Sequence, residues 1–165
     1  MLNSAPSTAH NGATFKVFNK AQEIEVLGTE FNIKAYKDEN NIYTTLVAGK
    51  VAIRHEGEKQ NLIPNQQSNV NLLENSLSVS VVNVSYEISW KAGVFNFEHK
   101  SLKDIMKVLS RWYNMDVIFE NKNLENAKFN GLINKRYPIK DILSVLQSSN
   151  IINTYEINNN TLILR

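Results

Sequence analysis

The sequence contains no cysteine. That absence removes disulfide frameworks, thiolate metal sites and cysteine nucleophiles together. Proline occurs 3 times and glycine 6 times in 165 residues, which leaves no room for a flexible low-complexity linker. No window approaches the roughly 18 consecutive apolar residues of a membrane-spanning helix. Residues Met1 to Thr8 carry neither the cationic nor the apolar segment of a secretory signal. Charge of one sign is scarce as well. The 18 basic and 16 acidic side chains give +2, too little for a dedicated nucleic-acid surface. By these absences alone the chain reads as cytosolic.

What is present is a globular composition, 42% hydrophobic and 21% charged, which excludes a disordered chain. Asparagine occurs 24 times, mostly between apolar β-branched runs, where its tolerance of left-handed backbone suits tight turns. A leader over residues 1–13, expected to be flexible, precedes short alternating segments. These include Phe15 to Phe18, Glu23 to Leu27, Glu30 to Tyr36, Ile42 to Val47 and Lys50 to Arg54. Gln60 to Ile63, Ser68 to Leu72 and Leu77 to Val84 follow. Turn chemistry separates them at Lys37 to Asn41, Ala48-Gly49, Glu56-Gly57-Glu58, Pro64-Asn65 and Glu74-Asn75. Residues 14–88 are therefore expected to be an all-β domain, a sandwich or meander.

From about Tyr86 the period changes from two to three and four. Ser101-Leu102-Lys103-Asp104 predicts a capping box, and Leu102, Ile105, Met106, Leu109 and Tyr113 share one face of a helix over about 102–113. Pro138 suits the first turn of a second helix carrying Ile139, Ile142, Leu143 and Leu146. The segments 101–109 and 138–146 agree at five of nine positions, an internal repeat 37 residues apart. Strand-like segments flank both helices, so residues 89–165 are expected to form a small α/β domain of two βαβ units and a closing strand. Charge divides the same way: residues 1–90 hold 7 basic and 9 acidic side chains, residues 91–165 hold 11 and 7.

No enzymatic constellation stands out. His10, His55 and His99 are far apart and lack paired acidic ligands, so no metal is implied. No glycine-rich loop opens a helix, and no cofactor is implied. Arg111-Trp112-Tyr113 could stack on bases, but the end of an amphipathic helix favours core closure with a snorkelling arginine. One segment could react with itself. Gly28-Thr29 lies inside a β pattern, where a glycine marks a bulge or tight turn. If that peptide is strained, the Thr29 hydroxyl can attack the Gly28 carbonyl in an N→O acyl shift.

The segment Ile24-Glu25-Val26-Leu27-Gly28-Thr29-Glu30-Phe31-Asn32-Ile33-Lys34-Ala35-Tyr36 resembles the signature of the FecR-like family of transmembrane anti-sigma factors. Thr44 to Val51, Trp90 to Phe97, then Leu102, Ile105, Leu109 and Arg111-Trp112-Tyr113 continue it. The C-terminal repeat is similar to the small domain at the N-terminus of secretins and TonB-dependent receptors. The resemblance implies the periplasmic, signal-receiving part of a single-span inner-membrane protein. Its implied partners are the signalling domain of an outer-membrane TonB-dependent transporter and, through a cytoplasmic segment absent here, a sigma factor. Some members are cut at a Gly-Thr-like site, which points again to Gly28 and Thr29. The membrane span is missing from the sequence, and the early strands of the β domain are expected to be truncated.

Reception has a physical route of its own. Short edge strands invite strand addition, and Thr161 to Arg165, with Leu162, Ile163 and Arg165, is a candidate edge. Lys135 and Arg136 would favour an acidic partner. A second reading is a carbohydrate- or peptidoglycan-binding module stacking sugars on Trp90, Trp112, Tyr113 and Tyr137. A third, a cytosolic regulatory module, depends only on the missing targeting signal.

Overall fold

The computed structural model describes residues 2–4, 15–19 and 21–165. Apart from residues 2–4, the expected leader, His10 included, lies outside the described residues. The chain divides into two compact units, residues 1–88 and 89–165. Its fold is mixed, with one large sheet, smaller sheets and three short helices among the described residues.

In the first unit, β1 (Leu2–Ser4), β2 (Phe15–Phe18), β3 (Glu23–Lys34), β4 (Asn41–His55), β5 (Glu58–Leu62), β6 (Gln66–Asn71) and β7 (Ser76–Val81) form one antiparallel sheet. Its order is β1-β3-β4-β6-β7, with β2 on β3 and β5 on β4. The sequence pattern suggested four strands where β3 and β4 are two long ones. Each bends midway. In β3 the buried apolar positions are Ile24 and Val26 before the bend, then Phe31 and Ile33 after it, where Thr29 and Asn32 are buried as well. Buried apolar positions thus change from even to odd numbers, because an irregular register between Leu27 and Phe31 swaps the faces. The buried apolar positions of β4 change from Ile42 and Leu46 to Val51 and Ile53, with Thr44, Thr45 and His55 buried beside them. The bend lets one continuous pair of strands wrap a core of Ile24, Phe31, Leu46, Val51, Ile53, Leu62 and Val70. The strand expected to reach Val84 stops at Val81. The Asn83 side chain accepts from Ser85 N–H at 3.1 Å and caps α1 (Val84–Glu87).

In the second unit, a 3₁₀ turn over Ser89–Ala92 leads to β8 (Val94–Asn96) and β9 (Lys100–Ser101), then α2 (Leu102–Tyr113) and β10 (Asp116–Phe119). After a second 3₁₀ turn come β11 (Lys128–Phe129), β12 (Leu132–Asn134), α3 (Ile139–Ser148), β13 (Tyr155–Asn158) and β14 (Thr161–Leu164). The cap of α2 differs in detail from the box expected. Ser101 Oγ accepts from Asp104 N–H at 3.2 Å, and the Asp104 carboxylate accepts from the Ser101 hydroxyl at 2.6 Å rather than from its backbone. Asn114, at φ 52°, ends α2 in the left-handed conformation that asparagine tolerates.

The repeat is visible in the core. Ile105, Met106 and Leu109 of α2 are buried, and so are Ile142, Leu143 and Leu146 of α3, each 37 residues on. The two βαβ units, however, do not form. Strands preceding the helices pair antiparallel with each other, β8 with β12 and β9 with β11. Strands following the helices meet in a separate sheet of order β10-β14-β13, with β10 parallel to β14. The hairpin at Asn159 (φ 52°) folds β14 against β13, and the other edge of β14 receives β10. The short strands ahead of each helix then satisfy their backbone groups on one another. Phe95 opposite Ile133 seals that pairing in the core.

Candidate functional site

β12 ends at Asn134, and residues 135–138 must turn into α3. Asn134 tightens the turn: its side chain accepts from Arg136 N–H at 2.9 Å and its carbonyl from Tyr137 N–H at 3.2 Å. This sends the Lys135 side chain into an aromatic cluster. The ammonium lies 5.4 Å from the centroid of the Trp90 ring, 5.0 Å from that of Phe95 and 4.4 Å from that of Trp112. It donates to the Trp90 carbonyl at 3.0 Å, and Lys135 N–H donates to Gly93 at 2.9 Å. Trp112 meets Phe95 edge-on at 5.6 Å. Burial lowers the Lys135 pKa from the ordinary lysine value, whereas the ring faces and the Trp90 carbonyl favour the charged form.

Lys135 and Arg136 therefore do not act as a pair of surface charges. Lys135 points into the rings, and Arg136 is exposed, its guanidinium unpaired among the described residues. Of the four candidate stacking rings, Trp112 and Tyr137 are 50% and 56% exposed. Trp90 and Tyr113 are partly buried. Trp112 N–H donates to the Lys135 carbonyl at 3.3 Å, and the Tyr113 hydroxyl donates to the Tyr137 carbonyl. Burial, and then Asp141, raise the Tyr113 pKa.

The C-terminal segment is not the free edge expected. β14 is the middle strand of its sheet, so both of its edges are paired; the outer strands are β10 and β13. Leu162 is buried in the core and Ile163 partly so. Arg165 bonds Glu120 through Nε at 2.7 Å and Nη2 at 3.2 Å, and pairs with Glu156 at 2.8 Å. The Arg165 hydrogen bond holds Glu120 below the usual carboxylate pKa, and Asn158 followed by Arg165 does so for Glu156.

Gly28 and Thr29 sit at the bend of β3. Gly28 has φ 57°, a region that favours glycine. Thr29 is 4% exposed, and its hydroxyl lies 2.9 Å from each of the Leu27 and Lys50 carbonyls. Sequence reasoning overlooked the third member of this corner, Gly49. At φ 90°, a Cβ on Gly49 would come within 2.7 Å of the Gly28 carbonyl oxygen and 2.9 Å of Thr29 Cα. The Ala48-Gly49 turn signal was the available clue. Phe95 was likewise treated only as a strand residue, because the ring cluster is assembled from positions far apart in the chain.

Among the described residues no cluster of histidines, cysteines and carboxylates could hold a metal. His55 is buried, with Nδ1 2.6 Å from the Ala21 carbonyl, and His99 is exposed at a corner with φ 56°. No helix among the described residues is long and apolar enough to cross a membrane.

The second unit is thus a small α/β module built around an internal repeat and a lysine held among aromatic rings. Residues 94–164 match the family described as FecR, C-terminal. That family is regulatory and non-enzymatic. Two crystal structures of a candidate anti-sigma factor from Parabacteroides distasonis, at 1.65 and 2.50 Å resolution, share the fold. The first has a TM-score of 0.82 at 21% identity, covering 97% of this chain and 74% of that one. The second has a TM-score of 0.81 at 21% identity, covering 96% and 74%. No curated protein matches.

Proposed function

We propose that this chain is the periplasmic signal-receiving region of an inner-membrane anti-sigma factor. In this reading it couples an outer-membrane TonB-dependent transporter to a cytoplasmic sigma factor. The observation that carries the reading is the FecR C-terminal match over 94–164, which spans nearly all of the second compact unit. The exposed, well-held surface of that unit supports a role in protein recognition.

The test is a pull-down of the purified chain against the signalling domain of the transporter encoded beside it. Retention of that domain, with no retention of an unrelated transporter's domain, is the expected result. Equal retention of both, or of neither, would remove the coupling role.

A further inference from the structure

We propose that Arg136 and Tyr137, braced by Trp112 and flanked by Lys140, form the surface on which the second unit docks an acidic protein partner; this rests on the coupling reading above. Three observations carry it. The first is chemical. Trp, Tyr and Arg dominate the energetics of protein interfaces because they bury large area with few rotatable bonds. Here an exposed tyrosine directly follows an exposed arginine, and a half-exposed tryptophan touches the same turn.

The second is electrostatic. Three acidic groups of this unit are already paired, Glu125 with Lys103 and Lys122 and both Glu120 and Glu156 with Arg165, and the carboxylate beside this turn is Asp141, which acts on Tyr113. Neither Arg136 nor Lys140 has an ion pair among the described residues, so their charge is available to a partner. The unit as a whole is positive, with 11 basic and 7 acidic side chains in residues 91–165. Carboxylates on the partner are the complement.

The third is rigidity. The turn is held by Asn134, by Lys135 N–H on Gly93, by the Lys135 ammonium in its ring cluster and by the Trp112 and Tyr113 donors. A surface already in its binding conformation loses little entropy when a partner arrives. Lys135 therefore serves the surface from behind and leaves direct contact to Arg136.

The experiment measures association and dissociation of the whole chain with the immobilised signalling domain of the adjacent transporter, at low and at physiological salt. Arg136→Glu is expected to slow association about tenfold at low salt, with the difference shrinking as salt rises. Tyr137→Ala is expected to speed dissociation about tenfold. Lys128→Glu reverses an exposed charge on β11 and should change either rate by less than about twofold. Arg136→Ser guards against an effect peculiar to the added glutamate, and unchanged melting establishes that each variant is folded. Binding by the original chain that Arg136→Glu, Arg136→Ser and Tyr137→Ala leave intact would overturn this surface and spare the coupling role. An equal effect of Lys128→Glu would reduce the attraction to undirected charge and overturn it too. Failure of the original chain to bind removes the coupling role and this surface together.

Discussion

The Lys135 ammonium stands 4.4 Å from the centre of the Trp112 ring, while the Trp112 indole N–H donates to the Lys135 carbonyl at 3.3 Å. Each residue thus holds the other twice, once through charge and ring face and once through a hydrogen bond. Removing the charge but keeping the side-chain length isolates the first. Lys135→Met is expected to lose about 1–2 kcal/mol of stability, read by urea denaturation followed through tryptophan fluorescence. A midpoint equal to that of the original chain would mean the ring cluster gains nothing from the cation.

The two glycines at the bend of the long strands differ in what surrounds them. A Cβ at Gly28 meets nothing within 4 Å, whereas one at Gly49 meets backbone at 2.7 and 2.9 Å. Gly28→Ala is expected to cost about 1 kcal/mol, from its left-handed backbone alone. Gly49→Ala adds a steric conflict that only a strand shift relieves, and about 3 kcal/mol is expected. Calorimetric melts of the two variants give the order directly, and equal losses would contradict the close approach at Gly49.

Thr29 tests whether that corner is a clamp or a cleavage point. Its buried hydroxyl joins the carbonyls of Leu27 and Lys50, so Thr29→Val should destabilise by about 1–3 kcal/mol. A hydroxyl so engaged is expected to leave the chain whole, giving one mass in prolonged incubation. Fragments ending at Gly28 and beginning at Thr29, absent in Thr29→Val, would instead establish the acyl shift.

Acid should loosen the second unit at its C-terminus. The folded pKa values of Glu120 and Glu156 are depressed, so their contribution is full above the ordinary carboxylate value of 4.5. It fades as pH falls through the lower folded values. Arg165→Gln removes the shared cation, and its stability difference from the original chain is expected to shrink steadily below about pH 4. A difference that stays constant down to pH 2 would place the stabilisation elsewhere.

Much of the second unit is legible in the residues. Leu102, Ile105, Met106 and Leu109 recur at helical spacing between a serine cap and Asn114, and the helix occupies 102–113 as those local signals dictate. Its repeat at Ile142, Leu143 and Leu146 follows for the same reason. The bend in β3 was half visible, since Gly28 marked an irregularity, but alternation alone could not say that the strand continues past it. The candidate site was read least well: Arg136 was named for its charge, while its neighbour Lys135 was given the same role and turned out to face inward.

Sequence alone determined what depends on neighbours a few residues apart: caps, helical faces, turn asparagines and the absence of cysteine chemistry. Tertiary structure decided which strands pair, that β14 lies between two others, and that Lys135 meets Trp90, Phe95 and Trp112. Hydrogen-bonding edges are chemically alike from strand to strand, so pairing is chosen by which arrangement buries the most apolar surface with no backbone group unpaired. The direction of one lysine side chain follows from that choice, because the rings it meets lie 23 to 45 residues away along the chain.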